Sequence, residues 1–293
     1  MLQASETVAF LNKRVPCLDF YLLHPRPFRF HLFFTFVLTL TTIVLGSAFY
    51  QSPKLSVRDE VLEWTLVAGV AAFTEFYFSK TPVWTDHPLL QTRTHSEYKA
   101  EIVNDVWLYP IGLTMAGGIG LMPNSSGSLN REAYIHTKGF IETSFAMVPL
   151  IDEIVKHVVG KKRPNYDSGM ELYAEGKNID VNDLRKSFWS GQAAMSFGMA
   201  TYFDLFLFRN VDRYDPFSLL WKVPLSVGTC AVASYISYTR VTDNLHEPVD
   251  VIAGGLAGAL ISSCMYFLNE KRIGNSIIGV DASSDKVGLS YKF

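Results

Sequence analysis

Long apolar stretches recur along this chain and restrict its fold more than any other feature. Each is 17 to 23 residues long, with apolar residues every three or four positions, which is typical of α-helices. Segments with Gly, Pro, Asn and Ser separate the stretches and predict turns. The sequence therefore predicts an all-α fold, a bundle of about six helices. The stretches cover residues 61–78, 106–122, 139–159, 190–208, 217–239 and 249–268.

Hydropathy alone leaves open whether these helices cross a membrane or pack on one another in water. Residues 223–239 and 251–269 carry no charge, whereas Glu63 and Glu75 interrupt the first stretch and Asp152 lies inside the third. A mean hydropathy of +0.15 is high for a soluble enzyme and low for a compact set of spanning helices. A helix buried inside a large bundle is also apolar all round.

Residues 1–57 are predicted to form a signal or membrane-anchor segment. Leu32–Tyr50 is a run of nineteen residues without charge, preceded by basic residues. A positive flank and an apolar centre fit a signal peptide or an uncleaved signal anchor, and both place the following residues outside the cytoplasm. An ordinary buried helix fits less well, because a core helix usually keeps a polar face. We expect a membrane-bound or exported protein, on the periplasmic side in a bacterial host.

Residues 271–293 are predicted to be a C-terminal tail. Within it, residues 287–293 alternate between apolar and other side chains, which is the period of a β-strand. The pattern is similar to the last strand of an outer-membrane barrel, but no set of alternating segments precedes it. We expect a short strand packed against the helical domain of residues 58–270.

Charge and cysteine content exclude several function classes. Charged residues make up 18% of the chain and the formal net charge is −2, which is not the balance of a nucleic-acid-binding protein. We therefore expect no nucleic acid as a partner. The three cysteines are widely spaced, so the sequence shows neither a disulfide framework nor a zinc pattern.

Lys156 and Arg163 stand seven positions apart, and Pro164 follows them. Seven residues are close to two helical turns, so the spacing predicts that both cations project from one face at a helix end. Two cations in this position can bind an oxyanion. A solvated basic helix end, which would include Lys161 and Lys162, is the simpler interpretation when the motif is taken alone.

A second motif runs from Arg240 through His246 to Asp250. Pro248 suits the first turn of the glycine-rich helix that follows, which puts His246 at the N-terminus of that helix. The Asp250 carboxylate can then hold one imidazole nitrogen while the other faces a substrate, and Arg240 can bind phosphate. Taken alone, a histidine near a helix start is more often structural.

These motifs, K-x-x-x-x-x-x-R-P and T-R-x-x-x-x-x-H-x-x-x-D with an S-G turn between them, resemble the signature of the type 2 phosphatidic acid phosphatase and vanadium haloperoxidase superfamily. The resemblance covers about residues 58–270. It implies a helical bundle, found in soluble exported enzymes and in six-span membrane enzymes. It also implies a phosphate pocket without metal or cofactor, in which Lys156, Arg163 and Arg240 hold the phosphoryl oxygens. His246 would be the nucleophile that forms a phosphohistidine, with Asp250 orienting it.

The chain departs from the family pattern P-S-G-H in the middle motif. Ser190 and Gly191 remain and can still bind an anion, but Gln192 stands where the family has its general acid. An amide cannot deliver a proton near neutral pH, and loss of a general acid costs about 100-fold to 10,000-fold in rate. The loss matters most when the leaving group is an alkoxide and least when it is itself a phosphate.

A replacement acid would have to come from elsewhere in the chain. The possible donors are other histidines or a carboxyl group, and we do not expect any of them to take over this role; surface or structural roles suit them better. They are His87, His95, His136 and Glu247.

The sequence thus predicts a membrane-associated or exported phosphatase that hydrolyses a phosphate ester or pyrophosphate, expected to be that of a lipid. Its general-acid step would be weakened because of Gln192. The alternative from another class is a catalytically silent protein that retains the pocket and binds a phosphorylated lipid. Vanadate-dependent halide oxidation uses the same pocket and ranks last, because the family's haloperoxidases also use the missing histidine.

Overall fold

The structure is a computed structural model that describes residues 57–78, 80–85, 88–90, 94–122, 131–212, 215–277, 279–281 and 288–290. The apolar run Leu32–Tyr50 lies outside these residues, so the signal or anchor segment stays a prediction. The division at residues 57 and 270 is likewise a prediction.

Eight α-helices make up the described part of the chain, and the predicted all-α bundle is confirmed. A π-helical turn, Thr74–Phe78, extends the first helix, and another, Thr143–Met147, joins the third and fourth into one rod. The helices are α1 Val57–Phe73, α2 Leu108–Leu121, α3 Arg131–Glu142, α4 Val148–Val159, α5 Tyr166–Ala174, α6 Gly191–Asn210, α7 Leu219–Thr242 and α8 Pro248–Ile277.

Each predicted apolar stretch falls within a helix or a helical rod, but the short helix α5 was not predicted. It has only nine residues, and Asp167, Ser168, Gly169 and Glu171 interrupt the apolar ones, so the pattern gave no signal for it. In the tail, strand β1, Gly279–Asp281, pairs antiparallel with strand β2, Gly288–Ser290, which lies in the predicted strand segment.

Helix α6 is the centre of the bundle. Thirteen of its twenty residues are buried, whereas only six of the twenty-four residues of α7 are. Met199, Phe203 and Phe206 of α6 pack in one apolar cluster with Phe140 of α3 and Tyr266 of α8. The N-terminus of α6, which is buried over its first four residues, carries the S-G turn.

Helix α8 approaches α6 until the two backbones touch. A Cβ atom on Gly258 would lie 1.9 Å from the Ala194 carbonyl oxygen, and one on Gly254 would lie 2.4 Å from that of Ser190. No real Cβ fits at these distances, so the approach requires glycine at both positions. The contact brings the start of α8, with its histidine motif, beside the start of α6.

Among the residues that the structure describes, three helical segments are long and apolar enough to cross a membrane, namely Glu60–Phe78, Pro216–Thr242 and Pro248–Lys271. Their outward faces carry large apolar side chains, of which Leu220 is 76% exposed and Leu256 68% exposed. Such continuous apolar faces are unfavourable in water and suit lipid. The protein is therefore membrane-associated.

Prediction one concerns the backbone contact between α6 and α8. Gly258→Ala forces the two helices apart, and overpacking of this kind costs about 1–3 kcal/mol of unfolding free energy. Gly228→Ala, in the middle of α7, is the matched control, because no atom lies within 4 Å of its added Cβ. In detergent, we expect Gly258→Ala to unfold at a lower temperature than the wild type. The control should show no such decrease. Equal unfolding temperatures for the two variants would contradict the contact.

Candidate active site

The three sequence motifs meet at the N-terminus of α6. Lys156 comes from the last turn of α4, Arg163 from the loop that follows, Arg240 from the last turn of α7 and His246 from the loop before α8. Positive charge from all three cations acts on the His246 ring. The Lys156 Nζ atom lies 3.0 Å from the point where a Cβ on Gly191 would stand. The structure thus brings the predicted residues into one site.

The predicted geometry of Lys156 and Arg163 is wrong in one respect. Helix α4 ends at Val159, and Gly160 has a left-handed backbone with φ of 60°. Arg163 therefore projects from a loop and not from the same helix face as Lys156. The turn at Gly160 breaks the two-turn spacing, because a left-handed residue ends a helix.

Each cation of the clamp already contacts a carboxylate. Lys156 Nζ lies 2.6 Å from Asp152, and the Arg163 guanidinium donates to the carboxylate and the carbonyl of Asp183 at 2.6 and 3.0 Å. Arg240 lies 3.3 Å from Asp243 and 3.6 Å from Glu101. All three cationic side chains are at least 88% buried, so this pairing offsets much of the cost of removing them from water.

The S-G turn lies at the start of α6. The Ser190 N–H donates to the Asp250 carbonyl, and the buried Ser190 Oγ has no hydrogen-bond partner among the described residues. A Cβ on Gly191 would lie 2.4 Å from the Asp152 carboxylate. Glycine at this position therefore lets the Asp152–Lys156 pair reach the positive end of the helix, where anions bind well.

Gln192 occupies the first turn of α6 and is 8% exposed. Its Nε2 donates to the carboxylate of Asp105, which opens the short helical turn Asp105–Trp107 before α2. The buried Oε1 of Gln192 has no hydrogen-bond partner in the part of the chain that the structure describes. The position of the family's general acid thus holds an amide in contact with a carboxylate.

His246 is held by a carbonyl group. Its Nδ1 donates to the Ser187 carbonyl at 2.6 Å, because a carbonyl can only accept. In the neutral ring, the lone pair is then on Nε2. The pKa of His246 is well below its usual value because the ring is buried and because Arg163 and Lys156 lie near it; the Ser187 hydrogen bond acts in the opposite direction.

The predicted contact between Asp250 and His246 is wrong. The Asp250 carboxylate instead accepts from Lys161 Nζ at 2.6 Å, from Ser187 Oγ at 2.7 Å and from the Glu247 N–H at 3.1 Å. The Glu247 N–H is one of the groups at the start of α8 that have no partner within the helix. Its hydrogen bond to Asp250 competes with His246 for the carboxylate. Asp250 therefore acts on His246 indirectly, through the residue whose carbonyl holds the ring.

Lys161 and Ser187 were missed as site residues. The sequence suggests a solvated basic run around Lys161, but its side chain is 2% exposed and also pairs with Glu247 at 2.6 Å. Ser187 stands three residues before the S-G turn, and no spacing rule singled it out. Both contacts join segments more than 50 residues apart in the chain, which local patterns do not reveal.

Residues 94–105, which we call the strap, run across the site. The Ser96 N–H donates to the Pro164 carbonyl at 2.9 Å, and the Ile102 N–H donates to the Asp243 carboxylate at 2.9 Å. The Val103 carbonyl accepts from the Arg240 guanidinium. With the contact between Asp105 and Gln192, the strap touches all three motifs. Beside it, a cavity of about 110 Å³ is lined by residues that include Glu101 and Arg163.

The suggested replacement acids do not reach residue 192 in the described part of the chain. The His95 side chain is 89% exposed and pairs with Asp167 at 3.0 Å. His136 is fully buried and bonds Glu270 at 2.9 Å, near the C-terminal end of α6. Glu247 pairs with Lys161. His87 lies outside the described residues.

The segment that carries the three motifs is also similar to known proteins. Residues 140–273, which contain all three motifs, match the family model of the PAP2 superfamily. The resemblance found in the motifs is thereby confirmed for this segment, which is similar to proteins of the type 2 phosphatidic acid phosphatase superfamily. The strap lies outside the matched residues.

Curated relatives carry phosphatase names. The chain is 30% identical to Lipid phosphate phosphatase 1 of Arabidopsis thaliana over 40% of its length and 39% of the plant protein's. It is 29% identical to Phospholipid phosphatase 2 of Homo sapiens, over 39% of this chain and 44% of the human protein. A PA-phosphatase related-family protein of Dictyostelium discoideum is 24% identical over 76% of this chain and 84% of that protein.

The chain thus aligns with less than half the length of the plant and human relatives. No solved structure matches it.

Prediction two concerns the lowered pKa of His246. Below about pH 6.5 an unfolded histidine binds a proton that the folded His246 does not, so the free energy of unfolding falls by up to about 1.4 kcal/mol per pH unit. His246→Asn removes this loss. As the pH is lowered from about 7.5 to about 5.5, we expect the unfolding temperature of the wild type to decrease relative to that of His246→Asn.

His95→Asn serves as the control for this experiment, because its side chain is exposed. Its unfolding temperature should follow that of the wild type over the whole pH range. A constant difference between the wild type and His246→Asn would contradict the lowered pKa.

Proposed function

We propose that the protein is a hydrolase of phosphate monoesters or pyrophosphates of lipids, and that it acts through a phosphohistidine at His246. The observation that carries the proposal is a neutral imidazole, oriented by a carbonyl, beside cations from three separate segments. The exposed apolar faces of α7 and α8 support a substrate that comes from the membrane, as do the names of the relatives. A small phosphate ester would fit the same pocket.

In the first step, Lys156, Arg163 and Arg240 would bind the phosphoryl oxygens in exchange for their present carboxylate partners. The free Oγ of Ser190 and the N-terminus of α6 would supply neutral donors. Positive groups placed in advance around a phosphoryl group stabilise the charge of the transition state. The strong negative charge of a phosphate monoester suits a site in which each cation has a carboxylate to displace.

His246 Nε2 would then attack phosphorus while Nδ1–H stays bonded to the Ser187 carbonyl. This bond stabilises the positive charge that develops on the ring, and the Ser187–Asp250 hydrogen bond fixes the position of the carbonyl. Water would hydrolyse the phosphohistidine in the second step. No step of this scheme uses a metal or a cofactor.

A catalytically silent phosphate-binding protein is the second candidate function. The amide at position 192 favours it, because the family's general acid is absent there. It predicts binding of phosphorylated lipid without turnover. Vanadate should bind in either case as a mimic of phosphate.

The predicted signal or anchor segment supports a site on the exported side of the membrane.

Prediction three tests the nucleophile. His246→Ala should lower phosphate release from dioctanoyl phosphatidate, an isoprenyl pyrophosphate and 4-nitrophenyl phosphate by about 1000-fold or more, because no other group in the site replaces the attacking nitrogen. His95→Ala, which alters an exposed histidine, should retain wild-type rates. Equal rates for His246→Ala and the wild type would contradict the mechanism.

Prediction four separates the enzyme from the silent protein. Gln192→His places a group that can donate a proton at position 192, so an enzyme should keep or raise its hydrolysis of dioctanoyl phosphatidate, by no more than about 100-fold, while 4-nitrophenyl phosphate changes little. The comparison is a measurement of kcat/KM on both substrates. A pocket that binds phosphate without turnover in the wild type and in Gln192→His would support the silent protein instead.

A further inference from the structure

The proposed reaction needs a proton for the leaving oxygen, and residue 192 cannot supply it. When His246 attacks phosphorus in line, the leaving oxygen departs on the opposite side of the phosphoryl group. An alkoxide is a poor leaving group without a proton, and the Gln192 amide has none to give near neutral pH. Any donor must lie within hydrogen-bond reach of the space that the side chain of residue 192 borders.

A carboxyl group lies at that place. The Gln192 Nε2 atom donates to Asp105 Oδ1, so the carboxylate is one hydrogen bond away from the end of the side chain that replaces the family's histidine. Asp105 is an exposed residue at the end of the strap, outside the segment that matches the family. Its side chain can therefore exchange protons with solvent.

A second carboxyl group faces the same region. Glu101 lies four residues earlier in the strap, lines the cavity beside Arg163, and its Oε2 stands 3.6 Å from Arg240. Partial burial and the negative charge of Asp105 raise the pKa of Glu101, while the charges of Arg240 and Arg163 oppose this and Asp183 adds to it. The Glu101 carboxyl group therefore keeps its proton to a higher pH than an ordinary glutamate does.

We propose that Asp105 is the proton donor to the leaving oxygen, supported by Glu101, and that Gln192 positions it. The inference rests on the proposed phosphatase function. Turnover is then compatible with an amide at position 192, because the amide binds the carboxyl group that donates the proton in place of the absent imidazole.

The Nε2 lone pair of His246 forms a bond to phosphorus, the bond from phosphorus to the lipid oxygen breaks, and its electron pair takes the proton of the Asp105 carboxyl. The lipid leaves as an alcohol, and Asp105 is left as a carboxylate. In the second step this carboxylate takes a proton from water as the water oxygen attacks phosphorus. The phosphorus–nitrogen bond breaks, and inorganic phosphate, neutral His246 and protonated Asp105 result.

The strap is held independently of the Asp105 side chain. Backbone groups of Ile102 and Val103 bond Asp243 and Arg240, and the Asn104 side chain caps the next turn by accepting from the Val106 N–H. Substitution of Asp105 should therefore leave the fold and the phosphate clamp in place.

Asp105→Asn is the decisive variant, because its amide oxygen still accepts from Gln192 but it cannot donate an acidic proton. The substrates are dioctanoyl phosphatidate, with an alkoxide leaving group, and 4-nitrophenyl phosphate, whose phenolate leaves without a proton. We expect kcat/KM to fall about 10-fold or more on phosphatidate and to stay within about 3-fold on the aryl ester. The ratio of the two rates is independent of the folded fraction.

Glu101→Gln should lower the same ratio by a smaller factor, since it removes the supporting carboxyl group. Glu97→Gln is the matched control on the strap, where only the backbone carbonyl makes a described contact, with Asn244. Its ratio should equal that of the wild type. Equal losses on both substrates in Asp105→Asn, or no loss at all, would overturn the proposal.

The two proposals fail in different ways. If the wild type releases phosphate from neither substrate, the phosphatase function itself is wrong. If the wild type hydrolyses the aryl ester but not phosphatidate, the function stands while the proton donor is refuted.

Discussion

One buried carboxylate connects all parts of the site. Asp250 is fully buried, and its side chain binds Lys161 from the first motif and Ser187 from the segment before α6, while its backbone carbonyl accepts from Ser190. A buried charge with this many donors is far more favourable than an unpaired one, which would cost several kcal/mol. If the helix ends did not meet, the Asp250 carboxylate would be a buried charge without donors. The need for these donors therefore determines how the helix ends are arranged. The contact of α6 with α8 through Gly254 and Gly258 makes the meeting possible, because it removes the side chains that would keep the helices apart.

The same physics explains why the clamp can exist without a ligand. Three buried cations close to one another would repel strongly, and each has a carboxylate within 3.6 Å. In the proposed reaction, an incoming phosphate would take over the contacts that these carboxylates make with the cations.

Much of the fold could be predicted because it depends on long apolar runs, which are local in sequence. The clamp residues Lys156, Arg163 and Arg240 and the nucleophile His246 were predicted from motif spacing and lie together, although their catalytic roles stay proposals. Their detailed partners could not be predicted. The left-handed turn at Gly160 changed the projection of Arg163, and the competition of several donors redirected the Asp250 carboxylate.

The strap was missed for a different reason. It has no helical or strand periodicity, and its contacts reach partners up to about 140 residues away, such as Asp243 for Ile102. Three of its hydrogen bonds use backbone groups, namely the N–H groups of Ser96 and Ile102 and the carbonyl of Val103. Every residue type except proline carries both of these backbone groups. The path of this segment therefore depends little on which side chains it carries at these three positions. The side chains at the rim of the pocket can therefore change without disturbing the residues that we propose bind the phosphate.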